Sequence, residues 1–341
     1  MFLVDKYRPD TREHSYFHND ILDMLEIMSK DNSIPHIILH GPTGSGKKTI
    51  TSIFLRMLFG ENVKNSKLIS YEIESSGGKK TPEKVKQSSY HIEINPTGTN
   101  YDRYLIHDIV KQYAKSKSLN TIFEKNKQFK LVLINDIDNL APGAQMALRR
   151  TMEIYSDKCR FIMICNCLSK VLKELQSRCI KQRIPSPSDS DIFKYIYRVS
   201  IDENININLD TYTKIITRAD GNIKEALWEL EFLKFGYEKN TEYVNTITKM
   251  TDLILVAKLE NIKHIREHFF NLTITNYTGI YILKDLLNSL YMSKKIVDKT
   301  KQQIISKGAD IEYRFMKGRR EIIHFDAFIA STIKYIHGEK I

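Results

Sequence analysis

The stretch Gly41-Pro-Thr-Gly-Ser-Gly-Lys-Lys-Thr49 has the residue types and spacing of a loop that grips phosphate. In the pattern G-x-x-x-x-G-K-[ST], backbone N–H groups cradle phosphates, the lysine reaches the outer ones, and the final hydroxyl coordinates magnesium. Gly41, Pro42, Thr43, Gly44, Ser45, Gly46 and Lys47 satisfy that pattern. Lys48 then stands where the hydroxyl belongs, and Thr49 follows one residue late. The loop can bind a nucleotide; hydrolysis would need a metal and a second, acidic element.

That element is read in Leu131-Val-Leu-Ile-Asn-Asp-Ile-Asp138. In a hydrolysing site, an aspartate after an apolar strand holds magnesium, and a further residue orients the attacking water. Here Asn135 occupies the place of the metal carboxylate, and Asp136 that of the glutamate expected next to it. An amide offers an oxygen without charge, and Asp136 is one methylene short. An ammonium ~4 Å from a divalent ion costs several kcal/mol even at an effective dielectric of about 20. Lys48, Asn135 and Asp136 therefore argue together against magnesium held in the usual way. ATP or ADP would bind with little or no metal, Lys48 itself offering charge to the phosphates, and efficient hydrolysis is not expected.

The elements around these residues read as a parallel α/β sheet followed by helices. Apolar or alternating runs predict strands at 34–40, 90–95, 129–134, 160–165 and 180–184. Ile50, Ile53, Phe54, Met57 and Leu58 recur at helical spacing until Gly60. Pro142 opens a helix to about Tyr155. Strand, glycine loop and helix in that order are the context that turns the loop into a site. The polar stretch 72–88 reads as an exposed hairpin or loop. Pro185-Ser-Pro-Ser188 marks a boundary beyond which strands vanish. Helices follow to about Ser200, with Asp189 and Asp191 as caps, then at 209–219 and 222–236. From 242 to 341 the pattern is helical throughout, with a turn expected at Gly308.

Composition narrows the class. The chain has 341 residues, 42% hydrophobic and 27% charged, the balance of a folded globular protein. No apolar run approaches the ~18 residues of a membrane span, and Met1 to Lys6 lacks a signal-peptide core. The expectation is a protein inside a cell, away from membranes. A net charge of +11 favours a polyanionic partner, nucleic acid first, although a lysine-rich coding bias also yields basic proteins. Cys159, Cys165, Cys167 and Cys179 form no C-x-x-C pair and read as small buried hydrophobes rather than a zinc site.

With these residues in view, nearly the whole chain resembles the small subunits of replication factor C, the eukaryotic sliding-clamp loader. Val4-Asp-Lys-Tyr-Arg-Pro9 resembles the family's opening segment, which implies that Val4, Tyr7 and Arg8 pack around the adenine. Ala144-Gln-Met-Ala-Leu-Arg-Arg-Thr-Met-Glu153 resembles its central helix. Asn166 falls on the residue that senses the γ-phosphate; read alone it could cap a helix near Ser169. Ser177-Arg178-Cys179 matches a box whose arginine acts in trans on the neighbouring subunit's nucleotide; read alone Arg178 could pair locally. Gly221-Asn-Ile-Lys-Glu-Ala226 resembles the second sensor segment, with Lys224 in the arginine position. One subunit type, called the third in animals and the fifth in yeast, carries G-K-K-T and a broken acidic pair, as here.

The resemblance implies a RecA-like AAA+ domain over 1–184, a helical lid over 185–240 and a helical collar over 241–341. It implies partners as well: the other subunits of a hetero-pentamer, the sliding clamp and primer–template DNA, in the nucleus or a cytoplasmic replication compartment. Arg149, Arg150, Arg103 and Lys111 are the DNA candidates; adjacent arginines on a helix point to different sides, so at most one of the first two faces DNA directly. Trp228 and the stripe Leu227, Leu230, Phe232 and Leu233 read as core. Two other readings remain at this point: an autonomous P-loop motor ATPase, which Lys48 and Asn135 oppose, and a scaffold without nucleotide, which the intact glycines and Lys47 oppose.

Overall fold

The structure, a computed structural model, describes residues 1–31, 34–74, 80–96, 102–115, 129–237, 241–256, 261–275, 277–317 and 321–338. Seven strands form one sheet: β1 (His36–His40), β2 (Lys67–Glu74), β3 (Lys80–Gln87), β4 (His91–Ile94), β5 (Lys130–Ile134), β6 (Cys159–Cys165) and β7 (Cys179–Arg183). Their order is β2-β3-β4-β5-β6-β1-β7. Pairing from β4 through to β7 is parallel, whereas β2 with β3 and β3 with β4 run antiparallel.

Alternate residues of the inner strands feed two cores, which is why their sequence is apolar without interruption. Ile38, Val132, Ile134, Phe161 and Met163 pack with Ile106, Ile109 and Leu148 on one face. Ile37, Leu39, Leu131, Leu133, Ile162 and Ile164 pack with Leu22, Leu25, Ile53 and Phe54 on the other. The covering helices are α2 (Asn19–Lys30) and α3 (Lys47–Phe59) on that second face, and α4 (Asp102–Lys115) and α5 (Pro142–Ile154) on the first. The short helix α1 (Leu3–Lys6) precedes them, and α6 (Lys173–Gln176) follows α5.

The five predicted strands are present within a residue or two of their expected ends. The polar stretch is a hairpin, but a longer one than 72–88 suggested: Lys67 pairs with Gln87 and Glu74 with Lys80, extending the sheet. Its alternation is masked because Leu68 is 71% exposed whereas Val85 is buried. Residues 75–79, and Asn100, lie outside the described residues.

Helices α7 (Asp189–Asp202), α8 (Leu209–Ala219) and α9 (Ile223–Lys234) bury Ile192, Ile196, Tyr212, Leu227 and Leu230 against one another and against Leu3. Ser188, rather than Asp189 or Asp191, caps α7, its Oγ accepting from Asp191 N–H at 3.3 Å. The two aspartates sit in the first turn, where carboxylates favour the helix dipole. The segments Met1–Tyr237 and Glu238–Ile341 are two compact units.

The second unit holds α10 (Thr241–Leu255), α11 (Asn261–Ile274), α12 (Gly279–Met292), α13 (Asp298–Lys317) and α14 (Glu321–Gly338). Met250, Ile265, Leu286, Ile311 and Phe328 form its core, with the Phe269 and Phe325 rings stacked at 4.0 Å. The turn expected at Gly308 does not occur. Gly308 lies inside α13, where a Cβ would meet the Leu287 side chain at 2.6 Å, so the residue serves close helix packing rather than chain reversal. Among the described residues no helix is long and apolar enough to cross a membrane.

Candidate nucleotide-binding site

Parallel order places the carboxyl ends of β5, β6 and β1 side by side, the edge where open α/β sheets bind ligands. The glycine loop leaves β1, Asn135 and Asp136 leave β5, and Asn166 leaves β6. Gly41 N–H donates to Cys165 O at 3.3 Å, which fixes the loop's start beside Asn166.

Within the loop, Gly44 and Gly46 adopt φ of +77° and +91°, which an L side chain would resist. Gly46 is the residue before α3, so the loop's amides and the helix start share one concavity. Lys47 is buried, and its ammonium donates to the carbonyl oxygens of Gly41 at 2.7 Å and Pro42 at 2.6 Å. Burial lowers its pKa, while Asp136 and Asp138 pull the other way.

The positions that depart from a hydrolytic pattern contact each other or their neighbours. Lys48 Nζ lies 3.4 Å from Asp136 Oδ2. Asn135 is buried, and its Nδ2 donates to Glu93 Oε1 and to Asn95 Oδ1, each at 2.7 Å. Both amide hydrogens are thereby used, and Asn135 Oδ1 accepts no hydrogen bond among the described residues. A carboxylate at 135 would meet that of Glu93 instead. An ammonium and a committed amide do not fit a magnesium ion held as in a hydrolytic loop, whereas the loop amides and Lys47 do fit phosphates. Asp138 Oδ2 accepts from the N–H groups of Asn166 and Cys167, each at 3.3 Å, which holds the turn after β6.

A cavity opens beside the loop. Gly44, Ser45, Gly46, Lys48 and Thr49 line one end of it, and Val4, Tyr7, Arg8 and Lys224 are brought to its walls from distant sequence. Asp136, Asn166 and Arg178 do not line it, and Asn166 is an exposed residue at the end of β6. The sequence reading missed Tyr16, Phe17, His18 and Tyr195, and took Leu227 for core alone although it lines the cavity while 3% exposed. The aromatic run 16–18 just before a helix was the available signal. His18 sits at φ +62°, and its Nε2 is 3.0 Å from Ser45 O, joining this run to the loop. One end of the cavity offers amides and cations, the other apolar and aromatic walls, a division that suits a phosphorylated flat base.

A polar clamp fixes the opening segment to the helices after the sheet. Glu203 accepts from Lys234 and Lys6, each at 2.6 Å, and from Tyr7 at 2.9 Å. Those hydrogen bonds, Lys234 first, pull its carboxyl down to about 2. Tyr195 donates to Tyr7 O at 2.9 Å, and Leu3 N–H to Glu231 at 3.2 Å. On the loop side, a Cβ on Gly44 would lie 1.8 Å from Asn222 Oδ1, the atom that caps α9. The cavity's two walls are thus in direct contact.

Arg178 stands elsewhere, between α6 and β7. Its Nη1 donates to Glu174 O at 2.7 Å, and its Nη2 lies 2.6 Å from the Glu153 carboxylate. Arg149 and Arg150 are exposed on α5, as are Arg103 and Lys111 on α4. Cys159 and Cys165 are buried as expected, but Cys167 is exposed and Cys179 half-buried, because they fall after β6 and at the sheet's edge.

Comparison with known proteins agrees with this geometry. A family described as DNA polymerase III, delta subunit, matches residues 17–188. A protein of Acanthamoeba polyphaga mimivirus that carries the replication factor C small-subunit name is 37% identical, over 98% of this chain and 91% of its own. Replication factor C subunit 5 of Saccharomyces cerevisiae is 31% identical over 97% and 98%. Among solved structures, a DNA polymerase III gamma subunit-related protein of Thermotoga maritima shares the fold at a TM-score of 0.51 and 13% identity, covering 92% of this chain and 99% of that one. Glycine loop, sheet order and full-length likeness agree, and the chain belongs to the replication factor C small-subunit family of AAA+ clamp-loader proteins.

Proposed function

We propose that this chain is a clamp-loader subunit that holds ATP or ADP without cleaving it efficiently and acts on a neighbouring subunit's nucleotide through Arg178. The observation that carries this reading is the Lys48–Asp136 pair beside an Asn135 amide already committed to Glu93 and Asn95. Phosphates meet the loop amides, Lys47 and Lys48, while Val4, Tyr7 and Arg8 enclose the base. Lys224 reaches the phosphates from the lid, and Asn166, exposed at the end of β6 and outside the cavity's lining, is assigned to sense the γ-phosphate. The bound nucleotide sets the angle between a nucleotide domain (1–184) and a lid (185–240), and 241–341 serves as the collar of a hetero-pentamer.

In that assembly ATP binding forms a spiral that opens a sliding clamp and grips primer–template DNA in the nucleus or a cytoplasmic replication compartment. Arg149 or Arg150 touches DNA phosphates, with Arg103 and Lys111 as further contacts; such contacts position the complex without reading sequence. Arg178 stabilises charge at the adjoining site, an effect worth about 10³–10⁵ in rate for a finger supplied in trans.

The test is reconstitution with related ATPase chains, a clamp and primer–template DNA. Arg178→Ala should leave this chain's nucleotide affinity intact and slow turnover by the complex at least about a hundredfold at one site. Unchanged turnover at every site removes the finger assignment.

A further inference from the structure

One carboxylate oxygen on α5 serves two arginines. Glu153 Oε1 accepts from Arg149 Nε at 3.3 Å and lies 2.6 Å from Arg178 Nη2. Arg149 sits one turn before Glu153 on the same helix, and Arg178 arrives from the turn that precedes β7. Arg178 has a second anchor, the Glu174 carbonyl oxygen at 2.7 Å from Nη1. Two anchors on different nitrogens fix the plane of a guanidinium, whereas one leaves it free to swivel. A groove beside this cluster is lined by Met146, Arg149, Arg150, Glu153, Leu172 and Glu174, so Arg149 and Glu153 border one open surface beside the Glu174 residue that anchors Arg178.

We propose that Glu153 is a positioning residue, which aims Arg178 at the neighbouring subunit's nucleotide and links that aim to polyanion contact at Arg149. The inference rests on the clamp-loader reading above and adds the regulation of that finger. A phosphate at Arg149 competes with Glu153 for the guanidinium. When it wins, the Oε1 charge is no longer divided, and Arg178 holds it alone. Duplex binding at Arg149 thereby firms the finger at Arg178. Glu153 is exposed, so each contact adds little to folding, and the consequence is geometric rather than structural.

The experiment uses the reconstituted complex, with Glu153→Gln, Arg178→Ala and the double variant, measured with and without primer–template DNA. Glu153→Gln should lower kcat about tenfold at the adjoining site with KM for ATP unchanged, since a finger displaced by less than 1 Å loses rate and not binding. DNA stimulation should fall with it, and the double variant should be no slower than Arg178→Ala alone. Unchanged affinity of the free chain for ATP shows that the substituted protein is folded. If Arg178→Ala slows the complex while Glu153→Gln keeps full kcat and full stimulation, the positioning role is wrong and the finger stands. If Arg178→Ala has no effect, the finger reading falls and this inference with it.

Discussion

Lys48 Nζ stands 3.4 Å from Asp136 Oδ2, so two residues that each break a hydrolytic pattern form an ion pair across the loop. The pair is partly solvated, and such pairs contribute about 1 kcal/mol or less to stability. Its importance lies in where it holds charge. An ammonium carried by the chain itself stands beside the glycine loop, paired with Asp136.

Nucleotide binding should therefore tolerate loss of metal. Titrating ATP onto the free chain with and without a chelator should change Kd less than about threefold. Lys48→Thr should weaken metal-free binding about tenfold, the loss of one charge-assisted hydrogen bond. Strong magnesium dependence in the unaltered chain would count against a built-in cation.

Restoring the acidic residue alone should harm the protein. Asn135→Asp places a carboxylate where Nδ2 now donates to Glu93 at 2.7 Å, and like charges in a buried setting repel. Urea unfolding at pH 7 should show a loss of about 1–3 kcal/mol. Adding Glu93→Gln should recover most of it. Equal stability of Asn135→Asp and the unaltered chain would mean that Glu93 does not dictate the amide.

A buried histidine, His91, and a half-buried one, His36, give the first unit a pH dependence. Burial pushes His36 and His91 down to about 4, from an ordinary 6.5; Arg160 adds to the effect at His36, and Lys86 adds to it at His91 while Glu93 opposes it. His36 Nδ1 also accepts from Phe161 N–H at 3.1 Å, which needs the neutral ring. Between these values the unfolded chain binds more protons than the folded one, so stability rises with pH. It is complete above about 6.5 and is lost as pH falls toward 4. Melting temperature should drop across that window, and His36→Gln with His91→Gln should flatten the slope.

The clamp on Glu203 should matter to both fold and site. Glu203→Gln leaves Lys6 and Lys234 around a neutral amide, which should cost about 1.5–3 kcal/mol in unfolding experiments at pH 7. ATP affinity should fall too, since Tyr7 and Arg8 lose their support. In the unaltered chain this contribution is present above a normal carboxylate pKa of 4.5 and is lost as pH drops toward about 2. A variant equal in stability and affinity would show that the opening segment is held by packing alone.

The sheet and the loop were legible because their signals are local. Gly41 to Lys47 is a contiguous pattern, and strands such as β5 are apolar at every position that both faces bury. The opening segment and Lys224 line the cavity, and the family resemblance was what singled them out in the sequence. Other features depended on partners distant in sequence. Gly308 looked like a turn because nothing nearby announces Leu287. The long hairpin was hidden by its solvated alternation. Glu203 is one acidic residue among many until Lys6, Tyr7 and Lys234 close on it. Asn135 was read as a lost carboxylate, and only the fold brings Glu93 and Asn95 to its amide. The aromatic run 16–18 passed unnoticed because His18 meets Ser45 only after the chain has folded back.

The most direct test is turnover by the purified chain alone at saturating ATP and magnesium, with binding measured on the same sample. ATP should be held at the loop and lost on Lys47→Ala, with no phosphate release above background. Metal-dependent turnover that disappears with Lys47→Ala would contradict this expectation.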